Sequence, residues 1–470
     1  MAAPSYNDFL NHRADPHGTI CSANPVTISI PTKDRPVQLA SLIISLLNQT
    51  NPNWSLTVVD DSENRIENFP YVRNLLNHLT EIGHPWNVIY GSKEGPSQSH
   101  NKVMRIAKTE WVLVMGDDNL LNPNYIENII AEAVITNLDI AGGVYLHPEF
   151  SILFDREGYE DGIHALNHKM VESNPLQWGL NHDMTTKLTR NPLYSGFLYK
   201  RSVLRAVGGF PTYLSPVGHR EETITGLSIS KCGYRLGIVP TAIAWHVRTF
   251  QGGIHTKDNP KEYWVEDDKK YGIFRDEILN KKPDFDDVWD KMKDVDGWLS
   301  REEAQVIYAK TALTDNPLIV EIGTHRGRST SLLALSNPDS KIITIDPYTE
   351  QTSFNSPYSN RHVTSIGCGA LSREKFIENM DRLGIKNYEQ LNITSREASD
   401  LVNSPIDVLY IDGAHDIKNV TQDYELWVPK VKAGGCIILH DVNDSCPDVK
   451  AFAHANGFEV AFGIGWKYKG

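Results

Sequence analysis

The chain has 470 residues, 40% of them hydrophobic and 22% charged, with a formal net charge of -13. That length exceeds one ordinary core and points to two or three domains, with no low-complexity tract or internal repeat. The acidic balance excludes a generally cationic surface for gripping phosphate backbones, and so excludes nucleic acid as an expected partner.

Five cysteines, Cys21, Cys232, Cys368, Cys436 and Cys446, are scattered without CxxC spacing, which fits reduced thiols in a cytoplasm better than a disulfide framework or a zinc site. The segment Met1 to Ile20 carries Asn, His, Asp and Pro and no apolar h-region, and no apolar run elsewhere is long enough for a bilayer. The expectation is a cytoplasmic protein without a signal peptide or transmembrane segment.

From Val26 the pattern alternates strand and helix: "VTISIP" and "WSLTVVDD" are β-rich, and "VQLASLIISLLNQ" between them has apolar residues at helical spacing. Further on, "VLVMGDDNLLNP" ends an apolar strand on Asp117 and Asp118, bringing both acids to a sheet edge where a divalent cation could collect them. The same two acids would also suit a solvated turn or a helix N-cap. After "YRLGIVPTAIAWHV" the pattern breaks at Gly252 and Gly253.

The tract from Lys257 to Lys293 is dense in Lys, Asp and Glu and reads as a charged connector holding short helices, a linker or a lid. "GWLSREEAQVIYAKTAL" then offers an N-cap at Ser300 followed by acids and an apolar stripe, so a helix opens a second α/β set. Its strands "PLIVEIG", "KIITID", "DVLYID" and "GCIILHD" are nearly all apolar, as buried parallel strands are, and each ends in Gly or Asp. In open parallel sheets the ligand crevice lies at those carboxyl ends.

"SIPTKDRPVQLASLIISLLNQ", "WSLTVVDDS", "GPSQSHNKVMRIA", "VLVMGDDN" and "GHREETITGLSISKCGYRLGIVPTAIAWHVR", in that order, resemble a family 2 glycosyltransferase with the GT-A fold, over roughly Val26 to Gly253. The resemblance implies a nucleotide-sugar donor, a glycan or glycoconjugate acceptor and a divalent cation, Mn²⁺ or Mg²⁺, on the departing diphosphate. Its DxD metal motif corresponds either to Gly116-Asp117-Asp118 or to Asp117-Asp118-Asn119. Carried over, Asp118 and His246 are metal ligands. Pro31, Thr32, Arg35, Asp60 and Asp117 surround the nucleotide sugar, with Asp60 accepting from the base edge. Glu221 and Glu222, just before the following helix, supply the general base of an inverting transfer; Glu222 is the first choice.

"LIVEIGTHRGRST" followed by "KIITIDPY" resembles the donor-binding half of a class I S-adenosylmethionine-dependent methyltransferase. Carried over, Glu321, Gly323, Thr324, Gly327, Ser329 and Asp346 bind S-adenosylmethionine, with Asp346 accepting from both ribose hydroxyls. The alternative, NAD, uses the same geometry, but GxxxG stands here in place of GxGxxG. "IDVLYIDGAHDIKNVTQDYELWVPKVKAGGCIILHDVN" resembles the metal-dependent subgroup that contains sugar O-methyltransferases. This implies Mg²⁺ on Asp412, Asp441 and the neighbouring His440, where close relatives often have an acid, and His415 as base.

The expectation is therefore an α/β chain of two domains, a GT-A nucleotide-diphospho-sugar transferase fold followed by a Rossmann-like class I methyltransferase fold. The expected boundaries are an extension over 1-24, the transferase domain over 25-256, a charged helical connector over 257-293 and the methyltransferase domain over 294-470. The expected function is glycan modification by both domains, or by one domain with the other docking substrate, or passive carbohydrate binding by both. Homo-oligomer formation stays open.

Overall fold

The computed structural model of the chain describes residues 16–146, 187–188, 196–247, 260–312, 314, 316–349, 351–355, 362–366 and 368–470. Most of the expected N-terminal extension, the break at Gly252 and Gly253 and the expected domain end at residue 256 lie outside them. Two compact units are found, Met1–Ser230 with Tyr234–Phe274, and Lys231–Gly233 with Arg275–Gly470.

In the first unit the strands are β1 (Val26–Thr32), β2 (Trp54–Asp60), β3 (Trp86–Tyr90), β4 (Trp111–Met115), β5 (Asn119–Leu121), β6 (Ile140–Leu146), β7 (Lys187–Leu188), β8 (Gly196–Lys200) and β9 (Leu236–His246). They form one sheet in the order β3-β2-β1-β4-β8-β6-β9-β5, with β7 beside β9. β1 runs parallel to β2 and β4, whereas β8 is antiparallel to β4, so the sheet is mixed. Val26, Ile28 and Ile30 of β1 are buried among the core residues, as the β-branched pattern requires. The helix Pro36–Leu47 places Pro in its first turn, where the missing N–H leaves no partner unmet, and buries Leu39, Ala40, Leu42, Ile43 and Leu46 along one stripe.

β4 lies between β1 and β8, so Asp117 and Asp118 stand at the carboxyl end of an interior strand and not on an edge strand. Strand order reverses between β1 and β4, the position where open α/β sheets leave a ligand crevice.

The second unit contains β10 (Leu318–Ile322), β11 (Lys341–Ile345), β12 (Gln351–Asn355), β13 (His362–Ile366), β14 (Tyr388–Leu391), β15 (Ile406–Ile411), β16 (Val431–Leu439), β17 (Glu459–Ala461) and β18 (Ile464–Tyr468). Its main sheet has the order β14-β11-β10-β15-β16-β18-β17, with β12 and β13 paired separately. β10 is parallel to β11 and β15, and β18 is antiparallel to both β16 and β17. The reversal here falls between β10 and β15. The helix Arg301–Thr311 starts at Ser300 through a capping box in which Glu303 and Ser300 satisfy each other's backbone N–H.

The charged tract forms the helix Glu262–Ile273, a π-helical stretch Phe274–Leu279 and the helix Phe285–Met292. The first of these belongs to the first unit, where Asp267 is fully buried. The second buries Phe285, Val288 and Met292 and belongs to the second unit. A tract expected as a connector is thus divided between the two cores. No helix of the described residues is long and apolar enough to cross a membrane. Cys21, Cys232, Cys436 and Cys446 carry free thiols.

Candidate active sites

At the first strand-order reversal, Thr32 at the end of β1 donates its hydroxyl to Asp117 Oδ2 at 2.8 Å. Arg35, which caps the helix Pro36–Leu47, reaches back so that Nη1 lies 3.1 Å from Asp117 Oδ1 and 2.9 Å from Asp118 Oδ2. The antiparallel pairing of β5 and β9 sets Asn119 opposite His246, and this register carries His246 Nε2 to 3.4 Å from Asp118 Oδ1. Five residues distant in sequence thus meet because three strands end together. Asn119 is buried and donates its amide N–H to the Gly116 carbonyl at 3.2 Å.

Burial pushes the Asp117 carboxyl up to about 6 against the pull of Arg35. At Asp118 burial also acts upward, but His246 and Arg35 outweigh it and hold that carboxyl below its ordinary value. Asp60, expected at the base edge, is fully buried, with Oδ1 accepting from Ser62 N–H at 3.0 Å and Oδ2 from Ile66 N–H at 3.1 Å. In this geometry its carboxylate organises the turn after β2. Pro31 is half-buried within β1.

Glu221 and Glu222 are the first two residues of the helix Glu221–Lys231, which corrects their expected place just before it. Near a helix N-terminus both gain from the helix dipole. They differ in surroundings. Glu221 is buried and accepts from Ser97 Oγ at 2.6 Å, and burial together with the Glu222 charge holds its carboxyl well above the usual range. Glu222 is half-buried. The loop before them is tied down by Asp267, which accepts from Ser215 N–H at 2.7 Å, Ser215 Oγ at 2.7 Å and His219 N–H at 3.0 Å.

In the second unit Gly323 follows β10 and Asp412 follows β15, side by side. Gly323 has φ +87°, and a Cβ there would lie 1.9 Å from the Asp412 carbonyl oxygen. Gly327, φ +84°, caps the helix Arg328–Ser336. Glu321 is fully buried; it accepts from Ser329 Oγ at 2.5 Å and from Thr330 Oγ1, and burial pushes its carboxyl up to about 8. Asp346 accepts from Thr324 N–H at 3.1 Å, His325 N–H at 2.9 Å and Tyr348 N–H at 2.8 Å. Glu321, Ser329 and Asp346 therefore hold the glycine turn in shape. With three N–H groups already on it, Asp346 retains about one of the roughly four acceptor positions of a carboxylate.

Beside that turn His415 Nε2 lies 3.1 Å from Asp441 Oδ2 and 3.6 Å from Asp412 Oδ1. His440 Nδ1 lies 3.3 Å from the same two oxygens. The two imidazoles draw the Asp412 carboxyl down to about 2 despite its burial, and the Asp412 carboxylate raises His415 above its ordinary value. Asp441 takes φ 56°, a left-handed conformation that aims its carboxylate back at Asp412.

Comparison with known proteins agrees with the two-part geometry. Residues 27–208 match the model of glycosyl transferase family 2, and residues 320–442 match the model of a methyltransferase domain. The chain joins a family 2 glycosyltransferase domain to a methyltransferase domain. Similar curated proteins are "O-antigen biosynthesis protein RfbC" of Myxococcus xanthus, 23% identical over 45% of this chain and 16% of that protein, and "Uncharacterized protein R132" of Acanthamoeba polyphaga mimivirus, 28% identical over 29% of this chain and 56% of that one. The matches thus span 16% and 56% of the lengths of those relatives. Among solved structures, S. aureus TarS aligns with 18% identity and TM-score 0.33 over 48% of this chain and 37% of that chain, and TarS 1-349 with 15% identity and TM-score 0.35 over 47% and 60%.

Donor sets in both domains fit the groups they would hold. In the glycosyltransferase domain Asp118 and His246 present an oxygen and a ring nitrogen 3.4 Å apart, a pair that suits a divalent cation. In the methyltransferase domain His440 Nδ1 stands 3.3 Å from both Asp412 Oδ1 and Asp441 Oδ2, one nitrogen and two carboxylate oxygens that a divalent cation could share. At the turn after β10 Thr324 Oγ1 is buried without a hydrogen-bond partner, a polar atom that a ligand bound there could satisfy.

Asp267, which holds the loop before Glu221; Glu303, which stands 3.8 Å from His440 Nε2; and Cys446, whose Sγ lies within 4.8 Å of the His415 and Asp441 ligand atoms, are neighbours of the candidate sites that the sequence reading missed. Asp267 sits in a run of charges, "EDDKK", with nothing local to mark it as buried. Asp267→Ala is expected to destabilise the glycosyltransferase domain by about 3 kcal/mol, because three donors lose a buried acceptor. Thermal unfolding checks this, and an unchanged melting curve would mean that other contacts hold Ser215 to His219.

Proposed function

We propose that the chain is a bifunctional glycan-modifying enzyme that transfers a sugar from a nucleotide sugar with inversion and O-methylates a sugar hydroxyl from S-adenosylmethionine. One arrangement, found twice, carries the reading: at the strand-order reversal of each sheet, carboxylates meet an imidazole, Asp118 with His246 and Asp412 and Asp441 with His415.

In the first reaction Glu222 takes the proton of the acceptor hydroxyl as that oxygen bonds to the anomeric carbon and the diphosphate leaves from the opposite face. A cation on Asp118 and His246 would neutralise the charge of the departing diphosphate. Pro31 and Thr32 end β1 beside this site, where Thr32 and Arg35 hold the Asp117 carboxylate. In the second reaction His415 takes the proton of a sugar hydroxyl, whose oxygen then bonds to the methyl carbon as the carbon–sulfur bond of the donor breaks. A cation at Asp412 and Asp441 would acidify that hydroxyl.

A second reading is favoured by one observation: Arg35 already bridges Asp117 and Asp118, so the first site has its own cation. On this reading the first domain docks a glycan and the second is the catalyst.

Mass spectrometry of the full chain with nucleotide sugars, S-adenosylmethionine and candidate glycans separates the two. Bifunctionality gives products heavier by one sugar and one methyl group. Asp118→Ala, or excess chelator, is then expected to lower sugar transfer by about 10²-fold or more, the scale of losing one group that stabilises developing charge. Full sugar transfer in chelator overturns the metal role. Methyl products without any sugar transfer favour the docking reading.

A further inference from the structure

His440 is 4% exposed, and its ring is set edge-on to Tyr410, with centroids 6.3 Å apart. Nδ1 faces Asp412 Oδ1 and Asp441 Oδ2, each at 3.3 Å, and on its other side Nε2 faces Glu303 Oε1 at 3.8 Å. Glu303 cannot swing in to replace the imidazole as an oxygen donor. Its Oε2 accepts from Ser300 N–H at 2.7 Å and Ser300 Oγ at 2.8 Å, which closes the cap of the helix Arg301–Thr311. The other flank is also tight, since a Cβ at Gly463, φ +81°, would lie 3.0 Å from Glu303 Oε1. One carboxylate thus starts the helix and stands behind the histidine.

We propose that His440, oriented by Glu303, tunes the metal position of the methyltransferase domain for a borderline transition ion, Fe²⁺, Co²⁺ or Zn²⁺, in preference to Mg²⁺. The proposal rests on the reading that Asp412 and Asp441 hold a cation. Mg²⁺ takes oxygen ligands at near-octahedral geometry and keeps several waters, so an imidazole in place of a third oxygen gives it little. An imidazole nitrogen suits the borderline ions. A remaining neighbour leans the same way: Cys446 Sγ lies within 4.8 Å of an Asp441 carboxylate oxygen, placing a sulfur beside the same carboxylate. Glu303 Oε1 stands 3.8 Å behind Nε2, short of a hydrogen bond but placed to receive that N–H if the ring moves onto an ion; a carboxylate so engaged strengthens a ligating histidine as a donor, and losing such a partner typically costs 10–100-fold in metal affinity.

The test uses the full chain carrying Asp118→Ala, so that the first domain does not contribute a competing site, and Asp412→Ala on the same background as the blank. Co²⁺ binding is followed by its visible ligand-field spectrum and Mg²⁺ binding by calorimetric competition. His440→Asp is expected to cut the preference for Co²⁺ over Mg²⁺ by about tenfold or more, with loss of the nitrogen-ligand signature in the spectrum. Glu303→Gln is expected to weaken Co²⁺ by about 10–100-fold while keeping that signature. Either variant alone decides the matter if the other fails to fold. An unchanged ion preference in His440→Asp, an unchanged Co²⁺ affinity in Glu303→Gln, or no binding of either ion above the blank overturns the proposal. Calorimetry of S-adenosylmethionine on the same samples keeps the two readings apart. Donor binding with unaltered ion preference overturns the metal inference alone, and selective Co²⁺ binding without donor binding overturns the methyltransferase reading alone.

Discussion

Glu222→Gln is expected to lower the turnover of sugar transfer by about 10²-fold or more while leaving the affinity for the nucleotide sugar unchanged. Two adjacent glutamates compete for the role of base, and their environments separate them. Glu221 is buried, accepts from Ser97 Oγ at 2.6 Å, and is held well above the usual carboxyl range by burial first and by the Glu222 charge second. Burial disfavours the ionised form of Glu221, the form from which a general base must start. Glu222, half-buried on the next position of the same helix turn, projects about 100° around the axis from its neighbour. Glu221→Gln should therefore cost little turnover, because a neutral amide oxygen can still accept from Ser97. Steady-state kinetics of both variants, with donor affinity measured separately, decide it. Unchanged turnover in Glu222→Gln together with a collapse in Glu221→Gln would exchange the roles.

Much of the sheet architecture could be read from sequence because both units are built from buried strands that punctuate themselves. "PLIVEIG" and "DVLYID" are apolar to their last residue and then switch to Gly or Asp, so the strand end and the site are the same signal. Ser300 was legible as a helix start for an equally local reason, since the cap and its partner Glu303 are three residues apart. Local signals could not show that Glu303 also faces His440, a partner 137 positions away. Arg35 illustrates the same limit. Its place in the turn after β1 was apparent, but its pairing with Asp117 and Asp118 depends on β1 and β4 ending at the same level of the sheet. Asp267 was hidden differently, because acidic runs are usually solvated and only the packed helix reveals which acid turns inward. Resemblance supplied residue identities at both sites, while the duty of each oxygen came from the fold: Asp60, Glu321 and Asp346 spend theirs on backbone and hydroxyl donors of their own turns.

Gly323→Ala should abolish S-adenosylmethionine binding by the full chain and lower the melting temperature of the methyltransferase domain, and a matched glycine shows why. Gly384 has φ +68° and nothing within 4 Å of a built Cβ, so Gly384→Ala pays only the left-handed backbone term, roughly 1–2 kcal/mol. Gly323, at φ +87°, pays a similar term, and its Cβ would also sit 1.9 Å from the Asp412 carbonyl oxygen, 2.5 Å from its carbon and 3.0 Å from Gly413 N. These are backbone atoms of the adjacent parallel strand end and cannot rotate aside as a flexible side chain would. Relief requires β10 and β15 to part at their carboxyl ends, which moves the glycine turn proposed to hold the donor and the Asp412 carboxylate that faces His415 and His440. A shift of about 1 Å in such a constellation is enough to cost 10²-fold in rate, so methyl transfer should fall even if some donor is still bound. Calorimetry with S-adenosylmethionine and thermal unfolding, run on both variants, give the comparison. If Gly323→Ala behaves like Gly384→Ala in stability and retains wild-type donor affinity, the close approach of the two strand ends is not what shapes the site.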